Sequence, residues 1–269
     1  MPFRLNRLLM VVVLCSIVLG AVLVVVQAVS AREPQAPAAG ALPRARDGKP
    51  DLSGFWQVMN TANFDIQDHG ARDGVPAGQG VVEGNEIPYL PAALAKKQEN
   101  YFTRATADPE TKCFAPGVPR VMYMPFPFQI VQEPSQVFML FEYAFHNRTI
   151  FTDGSAHPKG GLELWLGDAR GRWEGDTLVA DVTDFNDQTW FDRAGNFHSE
   201  ALHVVERYTL LDRDHINYEA TIEDPKVFTR PWKMSMIFYR HLERNFRVLE
   251  YLCWAFPLEK YYPYPSIAQ

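Results

Sequence analysis

Glu200-Ala201-Leu202-His203-Val204-Val205-Glu206-Arg207-Tyr208-Thr209-Leu210-Leu211, then Asp212-Arg213-Asp214, then His215-Ile216-Asn217-Tyr218-Glu219-Ala220-Thr221-Ile222-Glu223, is the stretch that decides the fold. Two runs rich in β-branched and aromatic residues flank a short charged turn, which is the pattern of an antiparallel hairpin. The pattern repeats along the chain. Trp232–Leu242 and Phe246–Phe256 flank Glu243-Arg244-Asn245, and Phe128–Glu133 and Gln136–Phe145 flank Pro134-Ser135. Arg148–Thr152 stops at Asp153-Gly154, and Gly171–Thr177 is a tight reversal into Leu178–Val182. Turns this regular predict up-and-down connections, and sheets of about eight or more such strands often curl shut. Only Pro91–Thr103, with Ala-Ala-Leu-Ala-Lys-Lys-Gln-Glu, has convincing helix formers beyond the N-terminal segment. Thr61–Pro91, punctuated by glycine and proline, is a long irregular segment of the kind that serves as a lid or binding loop.

Working outward, Arg4 and Arg7 precede Leu8–Val26, an uncharged apolar run of 19 residues, and Val29-Ser30-Ala31 offers a cleavage site. Residues 1–31 are therefore expected to be an export signal or an uncleaved membrane anchor. Either leaves the body outside the cytoplasm, periplasmic or extracellular. Arg32–Pro50 is expected to be a flexible linker, and residues 51–269 a single β domain. Without Arg4 and Arg7 the chain keeps 24 basic residues against 32 acidic ones, a net charge of −8. An acidic body without a clustered Lys/Arg patch excludes nucleic acid as a partner. Membrane contact is expected only through residues 8–26. Cys113 and Cys253 are the cysteines of the exported body, and an oxidising compartment favours their pairing as a disulfide; two buried thiols are the alternative. Gly54-Phe55-Trp56 resembles the Gly-x-Trp opening of lipocalin-type barrels. The expected fold is thus an antiparallel calycin-like barrel or strongly curved sheet, with a β-sandwich as the alternative.

Strand parity sorts the polar residues, because i, i+2 and i+4 share a face. If Gln136–Thr152 runs unbroken, Glu142, His146 and Arg148 project together, away from Val137, Met139, Phe141, Tyr143 and Phe145. A break near Asn147 would scatter them. His146 and Arg148 are candidates to line a cavity or to form a buried ion pair, whereas Glu142 is read as structural. In the opening stretch His198, Glu200, Leu202, Val204 and Glu206 share one face, and His203, Val205 and Arg207 the other. The loop Asp184–Asp192 offers Trp190 and Asp192 as ligand contacts at a barrel mouth. Asp184 and Asn186 suit turn duty, and so do Asp153 and His157. A local zinc site fails: His198 and His203 fall on opposite strand faces, or about 140° apart on a helix. A metal held by His146, His157 and either His198 or His203 remains an alternative. The chain lacks a nucleophile elbow, a P-loop and a dinucleotide-binding glycine pattern.

What is left is general acid–base chemistry without a cofactor. His146, Arg148 and His203 are the expected catalytic groups. Tyr143, Trp190, Asp192, His198, Glu200 and Arg207 are the expected contacts to a small apolar or aromatic molecule. Isomerisation, cyclisation, dehydration and hydrolysis all suit that set. A non-catalytic carrier of lipocalin type and a metal-dependent enzyme are the alternatives.

Gly48-Lys49-Pro50-Asp51-Leu52-Ser53-Gly54-Phe55-Trp56, Cys113–Arg120, Arg172–Val179, His198–His203 and Glu223-Asp224-Pro225 together resemble a widespread group of exported bacterial proteins of unassigned function. The resemblance covers nearly the whole exported body. That group carries Cys-His-Glu near its C-terminus, where this chain has Cys253-Trp254-Ala255. The cysteine is kept and an acid–base pair is lost, so the resemblance implies no catalytic role at that place.

Overall fold

A computed structural model describes residues 41–72, 75–251 and 253. The expected export segment and most of the expected linker lie outside the described residues. Nine strands close into a barrel in chain order. They are β1 (Gly54–Val58), β2 (Phe128–Glu133), β3 (Gln136–Phe141), β4 (Asn147–Phe151), β5 (Asp168–Glu174), β6 (Thr177–Thr183), β7 (His203–Leu210), β8 (His215–Glu223) and β9 (Trp232–Arg240). The expected helix is α1 (Pro91–Ala107), one turn longer than its sequence suggested.

Neighbouring strands are antiparallel except β4 and β5, which run parallel and share only the pairs Ile150↔Ala169 and Phe151↔Arg170. The tight turns at 134–135, 175–176 and 211–214 therefore lie at one end. The long connections 59–127, 184–202 and 224–231 lie at the other, and 152–167 crosses back along the wall.

Alternation along each strand sends one set of side chains inward. In β7 these are Val204, Glu206, Tyr208 and Leu210; in β8 Ile216, Tyr218, Ala220 and Ile222; in β9 Trp232, Met234, Met236 and Phe238. Rings span the middle of the barrel at centroid separations of 5.4 Å (Phe141–Phe128), 5.2 Å (Phe128–Phe238), 5.0 Å (Phe238–Tyr218) and 5.2 Å (Tyr218–Tyr208). Side chains filling a small barrel in this way make its interior a core.

Trp56 closes the turn-rich end. Its Nε1–H donates to the Leu52 carbonyl at 2.9 Å, and the Arg240 guanidinium lies 4.1 Å above its ring. Gly54 makes room for that layer: its φ is 145°, and a Cβ there would come within 2.0 Å of Arg240 Nη1.

Three expectations about elements are corrected. The chain 246–251 is not a strand, because the free edge of β9 is already taken by β1 through Trp56↔Arg240, Gln57↔Tyr239 and Val58↔Phe238. Residues 171–174, expected as the first part of the reversal Gly171–Thr177, belong to strand β5. Residues 41–50 are a folded turn rather than loose linker. Ala45 N–H donates to Lys49 O at 2.8 Å, and Arg44 reaches both oxygens of Asp176 at 2.6 and 2.9 Å.

Candidate functional site

The expected trio of His146, Arg148 and His203 is divided among three places. The chain breaks at 142–146, where Ala144 (φ 50°) and Phe145 (φ 53°) turn through the left-handed region. The register then pairs Met139 with Arg148, odd with even, so Arg148 points into the barrel beside residues it was expected to oppose.

Inside the barrel Arg148 Nη1–H donates to Glu206 Oε1 at 2.9 Å, and Nη2 closes the second arm of the pair on Oε2. Tyr208 and Tyr218 hydroxyls also donate to Glu206 Oε1, at 2.9 and 2.8 Å. Glu206 is fully buried and Arg148 nearly so. Met122, on the buried 3-10 turn Arg120–Tyr123, lies over the cluster with its sulfur 4.0 Å from Arg148 Nη1 and from Tyr208 OH. Burial disfavours the guanidinium charge, but the Glu206 carboxylate overrides it and raises the Arg148 pKa. Burial and the same carboxylate push both phenols well above their ordinary range. The cluster is a two-armed ion pair under a cover, with Arg148 Nε buried and without a hydrogen-bond partner, which suits structure better than proton transfer.

His146 sits in the 142–146 turn, its ring 6.2 Å from that of Tyr143. Its Nε2 is buried without a hydrogen-bond partner, and burial lowers its pKa. Tyr143 is buried and donates to Glu110 Oε1 at 2.9 Å.

The expected ligand contacts are mostly consumed by structure. Asp192 accepts from four N–H groups: Ala194 (2.9 Å) and Asn196 (3.1 Å) backbone on Oδ1, and Ile66 backbone (2.9 Å) and Asn196 Nδ2 (2.6 Å) on Oδ2. His198 is buried, with Nε2 against Thr189 Oγ1 at 2.6 Å and Nδ1 against the Ser199 carbonyl at 2.8 Å. Since a carbonyl only accepts, Nδ1 carries the hydrogen and Nε2 takes one from Thr189. Glu200 is exposed and paired with Lys226. Arg207 lies on the outer face and donates to Glu174 at 2.9 Å. Trp190 is half-buried and bridges to Phe197. None of these six opens onto the Arg148 cluster in a shared cavity of the kind expected.

The third place is the outer wall near the long-loop end, and it gathers titratable groups that solvent reaches. His203 opens β7, Asp181 stands on the outward face of β6, and the crossover 152–167 lays His157 across them. One Asp181 carboxylate receives both imidazoles. His157 Nε2 is 3.1 Å from Oδ1, and His203 Nε2 is 3.2 Å from Oδ2. His157 Nδ1 meets Asp168 Oδ1 at 2.7 Å, and Arg170 grips Asp168 at 2.6 and 2.8 Å. At the other end Glu223 is 3.6 Å from His203 Nδ1. Although burial opposes it, hydrogen bonds from Arg170 and His157 hold the Asp168 carboxyl below its ordinary range. Side-chain exposures of 34% for His203 and 28% for His157 leave both imidazoles in reach of a solute.

This arrangement can orient a base. With its Nε2–H donated to Asp181, His203 keeps Nδ1 out of any hydrogen bond, the Glu223 carboxylate standing 3.6 Å away. His157 faces a carboxylate from each nitrogen, and its Nδ1 also lies 3.2 Å from Thr183 Oγ1. Sequence reading gave His203 a catalytic part but set His157 aside as a turn residue, and missed Asp181 and Asp168. A lone acid in the apolar run Leu178–Val182 was the available clue.

Two of the four histidines weighed as scattered metal ligands come together, while His146 and His198 stay in separate contacts. Among the described residues no group of three or more His, Cys, Asp or Glu is disposed to hold a metal ion. Comparisons with family models, curated proteins and solved structures find no match to this chain.

Proposed function

We propose that this chain is an exported β-barrel enzyme that performs general acid–base chemistry on a small molecule at the outer wall. His203 is its base, Asp181 the orienting carboxylate and His157 the second imidazole on that carboxylate. The observation that carries the reading is the single Asp181 carboxylate shared by two half-exposed imidazoles at 3.1 and 3.2 Å. Abstraction by His203 Nδ1, and return of that proton from the resulting imidazolium to a second atom of the same substrate, balances as an isomerisation, with Asp181 stabilising the imidazolium between the two steps. Apolar surface for a substrate lies close by, in Val205 beside Asp181 on the sheet and in the Phe151 ring 4.6 Å beneath Arg170.

A lipocalin-type carrier would use the interior, where the row of rings and the Arg148–Glu206 pair now sit, so the catalytic reading is preferred. The test begins with mass spectrometry of small molecules released from the purified full-length protein, followed by turnover assays on compounds of that class. His203→Ala and Asp181→Asn are each expected to cut turnover by about 100-fold or more, with the melting temperature within about 2 °C of the parent. Equal turnover in all three proteins would refute the assignment. Ligand release with no product under any condition would favour the carrier.

A further inference from the structure

The two cysteines of the exported body take no part in the proposed chemistry, yet the fold brings them together. Cys113 ends the 3-10 turn Pro109–Lys112 in a left-handed conformation (φ 63°), its N–H donating to the Glu110 carbonyl at 3.0 Å. Cys253 Sγ lies 4.0 Å from that same carbonyl, and the two thiols are near enough to act on each other electrostatically. Around them the late chain is laid along the 142–146 turn. Tyr251 bridges to Tyr143 and accepts from Ala144 N–H at 3.0 Å, Leu249 N–H donates to Glu142 at 2.7 Å, and the Tyr251 ring lies tilted 4.4 Å from Phe126. Tyr143 OH also touches Cys253 Sγ at 3.5 Å. Leu249 and Tyr251 stay exposed through these contacts, so a covalent link would hold the segment more firmly than they do.

We propose that Cys113 and Cys253 close into a disulfide that clasps residues 249–253 onto the 142–146 turn, and that reduction releases them. The oxidant is the disulfide of a thiol–disulfide exchange partner, either glutathione disulfide or a dithiol oxidoreductase. One thiolate attacks it, expelling a partner thiolate, and the second attacks the mixed disulfide and expels the other. Two thiols of this chain lose their protons and two electrons, and two partner thiols gain them. Burial pushes the Cys113 thiol up to about 12.

The test equilibrates the purified full-length chain in graded mixtures of reduced and oxidised glutathione. Oxidation is expected to lower the intact mass by two hydrogens and to give one cross-linked peptide pair joining 113 to 253. The melting temperature is expected to rise by roughly 5–15 °C. Amide exchange at Ala144 and Leu249 is expected to slow on oxidation and not in Cys253→Ser. Should that variant misfold, parent protein alkylated while native serves as the unlinked reference. Thiols that stay alkylatable in excess glutathione disulfide, a link to Cys15, or unchanged exchange at Ala144 would each overturn the proposal.

Discussion

His198 carries a consequence for pH that its hydrogen bonds and its burial agree on. Neutral imidazole fits the Ser199 carbonyl on one side and the Thr189 hydroxyl on the other, and burial lowers the pKa from 6.5. The unfolded chain therefore takes up a proton before the folded one does, and stability is lost as pH falls below about 6.5. His146 is lowered by burial too and adds to the same slope. In urea titrations across that range, His198→Asn should flatten the dependence while costing about 1–3 kcal/mol at neutral pH. Asp192 acts in the opposite sense. Burial, then Asp65, raise its pKa to about 7 against the pull of its N–H donors. Stability from this group is full below the ordinary carboxylate range and falls as pH climbs towards about 7. Asp192→Asn should remove that fall, yet lose about 1–3 kcal/mol because an amide would set N–H against the N–H of Ile66 or Asn196. Because the two slopes oppose each other in the parent, a variant whose pH profile matches the parent's would contradict the assignment of the residue it replaces. Neither role was legible in the sequence: a polar residue in a loop looks the same whether its partners are backbone amides or a ligand.

Parity was the legible part at the level of single elements. β7 and β8 alternate as their sequence predicts, and so Glu206 faces inward and His203 and Arg207 outward. What parity could not supply was the register across a turn. The 142–146 break moved Arg148 to the inner face, where it met Glu206, a pairing between strands far apart in the chain. β5 was hidden because Asp168, Arg170 and Arg172 around Gly171 have the composition of a turn. Its charged side chains point outward, and the barrel needs the strand to bridge β4 and β6. The Arg148–Glu206 pair gives this level its test. Arg148→Met alone should cost about 3–5 kcal/mol by stranding a buried carboxylate, and Arg148→Met with Glu206→Leu should recover most of it. Urea denaturation of both variants checks this. Additive losses in the double variant would show that the two side chains do not act as a pair.

For the molecule as a whole, regular hairpin turns foretold a curved antiparallel sheet, and closure follows from β9 pairing back onto β1. The residue that plugs the turn-rich end, Trp56, is fully buried, and Trp56→Ala should cost about 3–5 kcal/mol in the same denaturation experiment. The candidate site was harder to foresee, since it lies where a crossover folds back over the sheet and no local pattern announces that. Strength around the circumference is uneven. β8 and β9 are matched from Trp232 to Tyr239, whereas β4 and β5 touch at two positions. A ring of strands gives first at its shortest joint, so hydrogen exchange there should outrun that of every other paired strand amide. The 152–167 span is anchored across that joint and holds His157 at its far side. When the joint parts, the Asp168 and Asp181 contacts keep His157 with the β5–β6 side, so the breach opens between Phe151 and Arg170 and leaves the two imidazoles together.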